Sequence, residues 1–334
     1  MSRATGIGSL PGDDATDYTE AVRVVLGELG PPEGLPHLPE LPGRGATASM
    51  TGRALAVVST LGADLQPAGW RLTDASGVDH RRARSLLSQD LDALEEQAQD
   101  LTGSLKIQVA GPWTLAATVE KPRGDKILSD HGARRELAQA LAEGVRDHVA
   151  DVRRRVPRVD RVVVQVDEPA LVAVLQARVP TASGVGRHRV VHPPEASEAL
   201  GWMLDAVTAA GGEPWVHTCA PGTPLGLLRG AGARGLSVDL SMMVAGDLDE
   251  LAEAWDAGET VVLGVVPTQE GVALPSATEV TERVQRLLDM LGLDLEEVSP
   301  RLVLSPACGL AGASPAWVRD TLKTCREAAA NLSG

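Results

Sequence analysis

The sequence predicts a (β/α)8 TIM barrel, and three observations support this fold class. Short apolar segments alternate with longer amphipathic segments through most of the 334 residues, as expected of a parallel sheet covered by helices on both faces. These segments account for seven or eight strands, and no G-x-G-x-x-G motif opens a helix as it does in dinucleotide-binding sheets. The length also suits a single α/β barrel. We therefore expect one domain over residues 1–334.

The predicted strands are short, nearly continuous apolar segments, which is typical of parallel strands buried on both faces. In chain order they are Ala4–Gly8, Leu105–Ala110, Arg161–Val166, Glu213–His217, Gly235–Leu240, Thr260–Val266 and Arg301–Leu304. One more strand is expected near Leu35–Leu38 or a little beyond it. That region lies inside the Pro- and Gly-rich stretch 30–45, which we interpret as a long loop bordering a site.

The predicted helices are longer segments with apolar residues at helical spacing. They are Arg81–Leu101, Arg134–Val156, Ala196–Ala210, Asp247–Ala257, Thr278–Leu291 and Pro315–Leu332. In the first of them, Leu87, Leu91 and Leu94 recur every three or four residues and so share one face. Pro315 suits a first helical turn, where its missing N–H has no intrahelical partner to lose.

Composition and charge exclude several classes of partner. The formal net charge is −14, which disfavours binding to nucleic acid or to an anionic membrane surface. No apolar run reaches the roughly 18–20 residues that a membrane span requires, and residues 1–11 lack the apolar stretch of a secretory signal. We expect a cytoplasmic protein. The chain has three cysteines, and in that compartment they favour free or metal-bound thiols over disulfides.

The sharpest local motif is Trp215-Val-His-Thr-Cys219, at the end of a predicted strand. His217 and Cys219 are two residues apart, so their side chains point to the same side of the strand. The carboxyl ends of barrel strands carry the active sites of barrel enzymes. Imidazole and thiolate are both good zinc ligands, although this pair alone is equally compatible with a half-buried histidine beside a structural cysteine.

Cys308 strengthens the metal hypothesis because it also follows a predicted strand, Arg301–Leu304. In a barrel, Cys308 and the His217/Cys219 pair would face the same opening. Three protein ligands with a position left for an oxygen ligand and a substrate are typical of a catalytic zinc site. The remaining cysteine, Cys325, falls inside the last predicted helix and is interpreted as a packing residue.

Carboxylates end two further strands. Asp239 is a candidate oxygen ligand of the metal, and the alternative is a helix cap or a carboxylate bonded to loop amides. Asp167 and Glu168 follow the apolar run Val162–Val166 and must face a cleft or water, since burial of an unpaired carboxylate is costly. A carboxylate here would suit a substrate ammonium group, and the alternative is a solvated loop.

Five short motifs resemble cobalamin-independent methionine synthase, namely its C-terminal catalytic half and the shorter single-barrel relatives of that enzyme. They occur in the family's order along almost the whole chain, with Gly69-Trp70 as a further element. The motifs are Ile7-Gly8-Ser9, Ala110-Gly-Pro-Trp-Thr114, Gln165-Val-Asp-Glu-Pro-Ala-Leu171, His217-Thr-Cys219 and Pro306-Ala-Cys308-Gly-Leu310.

The resemblance implies a zinc site and its ligands. His217, Cys219 and Cys308 would bind the ion, and the family's fourth ligand is a glutamate at the position that we match to Asp239. The carboxylate is therefore one methylene shorter in this chain. Zinc would activate a thiol as the nucleophile in a methyl transfer, since coordination favours the thiolate.

The resemblance also implies the substrate, homocysteine, and the groups that hold its amino-acid end. These would be the Ile7-Gly8-Ser9 turn and Asp167, with Glu40 matching a second carboxylate when a gap is allowed. The implied product is methionine, and the methyl donor is left open between a methyltetrahydrofolate, a methylated corrinoid protein and another carrier.

Two features depart from the family pattern. The long members have an additional N-terminal barrel that helps to hold the folate, and this sequence has no counterpart. They also carry a proton-donating histidine after the seventh strand, whereas residues 264–271 here contain none. Glu270 would replace it only with a different geometry. Two other functions therefore stand beside the first: methylation of another thiol from a corrinoid, and a non-catalytic barrel that binds zinc and an amino acid.

Overall fold

Seven strands form one parallel sheet in the computed structural model, which describes residues 1–333, and the flanking helices cover that sheet. The strands of the described residues are β1 (Arg3–Ala4), β2 (Gly62–Gln66), β3 (Gly69–Thr73), β4 (Gly103–Ala110), β5 (Val159–Asp167), β6 (Gly212–Thr218), β7 (Gly235–Asp239), β8 (Thr260–Val266) and β9 (Leu302–Pro306). The order across the large sheet is β1-β9-β8-β7-β6-β5-β4. Neighbours in sequence are neighbours in space from β4 to β9, as expected of repeated right-handed crossovers.

The helices alternate with these strands. They are α1 (Ala15–Glu28), α2 (Met50–Val57), α3 (Val78–Gln97), α4 (Pro112–Thr118), α5 (His131–Arg155), α6 (Leu171–Leu175), α7 (Pro193–Ala209), α8 (Leu225–Gly230), α9 (Ala245–Asp256), α10 (Ala277–Leu291), α11 (Leu295–Val298) and α12 (Pro315–Asn331). Short 3-10 helices lie at Pro42–Arg44, Ile127–Ser129, Leu240–Met242 and Ser299–Arg301. All six helices predicted from the sequence are present.

The prediction of a closed eight-stranded barrel is confirmed only in its coarser form, a TIM-barrel-like α/β fold with a seven-stranded sheet. The segment 33–40 lies between the two sheet edges without forming a regular strand. It makes single parallel bridges to β1 at Ala4↔Gly34 and to β4 at His37↔Lys106. Pro36 and Pro39 have no N–H to donate, which is the physical reason why a regular ladder does not form there.

A second, two-stranded sheet was not predicted. Strands β2 and β3 pair antiparallel from Gly62↔Thr73 to Gln66↔Gly69, and Trp70 on β3 is buried. The Trp70 indole N–H donates to the carbonyl of Ala46 at 3.3 Å. Gly69 and Trp70 therefore belong to this hairpin, in which the buried Trp70 packs beside the barrel-like sheet.

The segment after strand β7 contains the N-terminal cap of helix α9. Val244 is the N-cap of α9, and Asp247 in its first turn accepts a hydrogen bond from the Val244 N–H at 3.0 Å. The sequence pattern places the start of this helix at Asp247. Asp247 instead supplies the returning half of the cap from inside the helix, because the helix begins at Ala245, two residues earlier than the pattern indicated.

Candidate metal centre and adjoining cavity

The candidate residues converge because parallel strands bring their carboxyl ends to one edge. Asp167 on β5 is directly opposite His217 on β6, and His217 is opposite Ser237 on β7. Cys219 follows β6 by one residue and Cys308 follows β9 by two. The topology therefore places groups that are up to 141 positions apart in sequence around one end of the sheet.

His217, Cys219 and Cys308 form a compact donor cluster. One nitrogen of the imidazole and the two sulfur atoms all lie within 4.8 Å of one another. The sulfur atoms of Cys219 and Cys308 are 3.1 Å apart, and both cysteines are free. The predicted meeting of one imidazole with two distant thiols is thus observed in the described residues.

The hydrogen bonds of His217 fix its tautomer. Its Nδ1 lies 3.2 Å from the Ser237 carbonyl oxygen and 3.0 Å from the Ser237 hydroxyl oxygen. A carbonyl oxygen only accepts, so Nδ1 carries the proton and donates it. The buried Nε2 then presents a lone pair, and it has no partner among the described residues. This is the arrangement by which a neighbouring acceptor orients a metal-binding imidazole.

The two thiols differ in acidity. The hydrogen bond between the two sulfur atoms lowers the pKa of Cys308 to about 4. The same contact, followed by burial, raises the pKa of Cys219. Two sulfur atoms and one imidazole lone pair therefore surround a shared centre. This set of soft and borderline donors fits zinc.

Asp239 is not a member of the three-residue cluster. Its Oδ1 accepts hydrogen bonds from the Ser241 N–H at 2.9 Å and from the Ser241 hydroxyl at 2.7 Å. The carboxylate thus caps the 3-10 helix Leu240–Met242, which is the alternative role expected for it. Its negative charge still contributes to the raised pKa of Cys219. Ligation of a metal by Asp239 stays a prediction.

A cavity of about 360 Å³ opens beside the cluster. All five residues predicted to bind the amino-acid end of a substrate line it, together with the three members of the cluster. Its lining also contains polar and apolar groups from α2 and from the sheet. The complete lining is Ile7, Gly8, Ser9, Glu40, Pro42, Ser49, Met50, Thr51, Gln108, Asp167, Pro169, His217, Cys219, Cys308 and Gly309.

The turn at residues 7–9 packs closely against the loop after β9. A Cβ atom on Gly309 would lie 2.0 Å from the Ser9 hydroxyl oxygen, so a larger residue at this position would displace the Ser9 side chain. Among the described residues, no hydrogen bond uses the Ser9 N–H or its hydroxyl. The Ile7 carbonyl is turned instead toward the buried side, where it accepts two hydrogen bonds.

Lys106 and Gln165 connect that carbonyl to Asp167. The Lys106 ammonium donates to the Ile7 carbonyl at 2.8 Å and to Gln165 Oε1 at 2.7 Å. Gln165 Nε2 donates to the same carbonyl at 2.9 Å and to Asp167 Oδ1 at 2.7 Å. Burial lowers the pKa of Lys106 to about 7 and raises that of Asp167 to about 7. The network connects the two groups through Gln165 without exposing Lys106.

Glu40 is held by a second network. Arg53 Nε lies 3.2 Å from Glu40 Oε1, and Arg53 also pairs with Asp90. Arg44 binds Asp90 through two hydrogen bonds of 2.8 Å each, and its guanidinium lies over the Tyr18 ring at 4.5 Å. A bidentate pair of this kind has a defined geometry. Glu40 is therefore paired with Arg53, which lies outside the cavity lining.

Glu168 is buried and structural, which excludes the solvated loop considered for Asp167 and Glu168. Its carboxylate accepts hydrogen bonds from the Trp113 N–H at 2.9 Å and from the N–H and hydroxyl of Thr114 at 2.8 and 2.7 Å. Burial nevertheless raises its pKa to about 7. The carboxylate thus binds the first turn of α4 and does not line the cavity.

Glu270 lies apart from the cluster and the cavity. It is exposed, and its carboxylate accepts a hydrogen bond from the Ser314 N–H. Bonds to Ser314 lower its pKa, so Glu270 is ionised at neutral pH and has no proton to give. A neighbouring cavity of about 370 Å³, lined by Asp239, Val266, Gln269 and Arg283 among others, also does not include Glu270.

Three residues of these networks were not anticipated: Lys106, Gln165 and Arg53. The first two had a visible signal, since each interrupts an apolar strand segment, Leu105–Ala110 or Val162–Val166. A lysine inside a buried strand requires partners. Arg53 had no such signal in the sequence, because helix α2 was not predicted.

No helix within residues 1–333 is both long and apolar enough to span a membrane.

Comparison with known proteins identifies a matching family. The model of the cobalamin-independent synthase family, catalytic domain, matches residues 98–331. This region contains the three cluster residues, Asp167 and Asp239, whereas residues 7–9 and Glu40 precede it. The search of curated proteins returned no match.

One of two solved structures compared with this chain shows a related fold. The structure of a B12-independent methionine synthase from Shewanella sp. W3-18-1 in complex with selenomethionine aligns with a TM-score of 0.63 and 15% identity, covering 99% of this chain and 97% of that chain. A GH5_18 structure from Streptomyces cattleya in complex with GlcNAc aligns with a TM-score of 0.47 and 12% identity, covering 99% and 80% of the two chains. At 15% identity, the similarity to the methionine synthase structure is evidence about the fold alone.

Proposed function

Because the chain belongs to the cobalamin-independent synthase family, we propose that it is a zinc-dependent methyltransferase that converts homocysteine to methionine. The proposal includes a single catalytic domain over residues 1–334. The strongest support is that a zinc-type donor cluster and a carboxylate-lined cavity of about 360 Å³ have three residues in common, His217, Cys219 and Cys308.

In this proposal His217, Cys219 and Cys308 hold the zinc ion, with Asp239 as the fourth protein ligand. When bound, zinc supplies Lewis acidity that lowers the pKa of a coordinated thiol, so that the thiolate forms near neutral pH. Both hydrogen bonds from Ser241 are accepted by Oδ1 of Asp239, so Oδ2 is the oxygen that is left to bind the metal.

The other end of the cavity binds the amino-acid group of homocysteine. Asp167 and Glu40 accept hydrogen bonds from the ammonium group, which is a charge-assisted interaction. The Ser9 N–H and hydroxyl donate to the carboxylate group from the turn at Ile7-Gly8-Ser9. Anchoring the amino-acid end restricts the sulfur to the side of the cavity where the cluster lies, and such positioning lowers the entropic part of the barrier.

The methyl donor is either a methyltetrahydrofolate or a methylated corrinoid. A folate leaving group takes up a proton, and the loop 264–271 offers no histidine for this. Glu270 was the sequence-based substitute, but its bond to Ser314 and its lowered pKa make it unsuited to the role. A corrinoid donor requires no such acid, which is the observation that favours it as the second candidate.

The test is methyl transfer by the zinc-loaded protein from methyltetrahydrofolate and, separately, from methylcobalamin. Homocysteine should yield methionine with one of the two donors, and mercaptoethanol, which lacks the amino-acid group, should react far more slowly. Equal rates with both thiols would indicate an enzyme for another thiol. Homocysteine binding without turnover from either donor would indicate the non-catalytic barrel.

A further inference from the structure

Both carboxylates of the cavity have a buried cation behind them. Arg53 is 3.2 Å from Glu40, and Lys106 reaches Asp167 through the amide of Gln165. Arg53 is 5% exposed and Lys106 is fully buried. Neither side chain lines the cavity. The two cations therefore act on a ligand only through the electric field and through the carboxylates that they hold.

The charges in these networks balance. Arg44 and Arg53 stand against Glu40 and Asp90, and these four side chains form one connected set of ion pairs. Lys106 balances Asp167. The neighbouring His37 adds no charge, because burial keeps its pKa well below its ordinary value. The wall that faces a ligand thus displays two carboxylates, and these carboxylates together with the charged groups behind them carry no net charge.

We infer that this balance selects a zwitterionic amino acid over a cationic amine, and that Arg53 is the specificity-determining residue behind Glu40. The inference rests on the proposed function, since it concerns the ligand of the same cavity. Two carboxylates without buried cations would attract a net positive ligand most strongly, because charges interact strongly where water is excluded. With the cations in place, a ligand gains most when it carries its own carboxylate to the Ser9 turn.

Arg53 acts on Glu40 at close range. The two side chains form a buried ion pair with 3.2 Å between Arg53 Nε and Glu40 Oε1, and an opposite charge at that distance offsets the long-range field of the carboxylate. The ion pair therefore favours a ligand that is neutral as a whole but carries an ammonium group.

The test compares two ligands that differ only in a carboxylate. L-Methionine is a zwitterion, and 3-(methylthio)propylamine is the same molecule without its carboxylate and is a cation at pH 8. Calorimetric titration of the zinc-loaded full-length protein with each compound gives the ratio of the two dissociation constants. Arg53→Met should shift this ratio toward the amine by about tenfold, equivalent to about 1.4 kcal/mol.

Two controls isolate the local charge. Arg53→Lys retains the cation and should leave the ratio unchanged. Arg158→Met removes one positive charge from an exposed pair with Asp100 and should also leave it unchanged. If Arg53→Met does not fold, Arg53→Gln, which keeps amide donors toward both carboxylates, should give the same shift.

The outcomes separate the inference from the proposed function. An unchanged ratio in the folded Arg53 variant overturns the inference alone, because L-methionine still binds. A wild-type protein that binds neither compound contradicts the amino-acid cavity and the inference together. Equal weakening of both ligands shows a purely structural role for Arg53 and also overturns the inference.

Discussion

Two sides of the same cavity are built differently. On the metal side, His217 Nε2 has no partner among the described residues, and the two sulfur atoms contact chiefly each other. On the carboxylate side, Glu40 and Asp167 are each held by a network of buried ion pairs and hydrogen bonds. The chain thus pairs the charged groups of one side by itself, whereas the imidazole nitrogen on the other side lacks a partner within residues 1–333.

This difference has an energetic reason. Clustered thiols and a bare imidazole nitrogen leave donor capacity unused, and a metal ion that binds them adds directly to the stability of the folded state. Buried carboxylates cannot be left without partners in the same way, because an unpaired charge is costly to bury. Changes on the two sides should therefore separate into effects on metal content and effects on ligand affinity.

Cys308→Ser should give the largest effect. We expect the purified wild type to contain about one zinc ion per chain and the variant less than about 0.1, because a hydroxyl is a far poorer zinc ligand than a thiolate. Elemental analysis measures this. Cys325→Ala is the matched control, since Cys325 is buried in α12 away from the cluster. Full retention of zinc in Cys308→Ser would contradict the metal site.

Asp167→Asn should weaken substrate use without changing zinc content. Loss of a charged hydrogen bond costs about 1.5–3 kcal/mol, or roughly 10- to 100-fold in kcat/KM for homocysteine. Steady-state kinetics with parallel zinc analysis checks this. Asp160→Asn changes an exposed carboxylate on the same strand and should be neutral. A parallel loss of zinc in Asp167→Asn would mean that the two sides are not separate.

On the carboxylate side, His148 should make the free energy of unfolding depend on pH. Burial, followed by the nearby charge of Arg53, lowers the pKa of His148 to about 4, so the unfolded chain binds the proton more readily between about pH 6.5 and 4. Stability is therefore lost as pH falls through this window, by about 2 kcal/mol between pH 7 and 5. Chemical denaturation of wild type and His148→Gln at both pH values tests this. The variant should lose less stability, and identical losses would refute the assignment.

Ser237→Ala should give the smallest effect, on the metal side. Its hydroxyl is one of two oxygens near His217 Nδ1, and the Ser237 carbonyl remains as an acceptor in the variant. We expect about tenfold weaker zinc binding, the lower end of the range for groups that orient a metal ligand. Competition with a chromophoric chelator measures the affinity. A loss as large as that of Cys308→Ser would show that the hydroxyl has a more direct role.

Much of the fold followed from the sequence because its signals are local. Apolar segments and helical spacing predicted the strands β4 to β9 and six helices, and the family predicted from five motifs is confirmed. The pattern of apolar residues did not predict the irregular segment 33–40 or the hairpin β2–β3. In the first, prolines interrupt the pairing, and in the second, the strands have only one buried residue each.

The candidate site divides in the same way. The sequence by itself determined that His217, Cys219, Asp167 and Cys308 stand at or just beyond strand ends, since the two-residue period of a strand and the parallel order of the sheet fix that edge. Only the tertiary structure decided that Asp239 turns to Ser241 and that Arg53 and Lys106 lie behind the two carboxylates. The physical reason is that the contact of Asp239 depends on its side-chain rotamer, and the contacts of Arg53 and Lys106 depend on side-chain direction across different elements, neither of which local periodicity encodes.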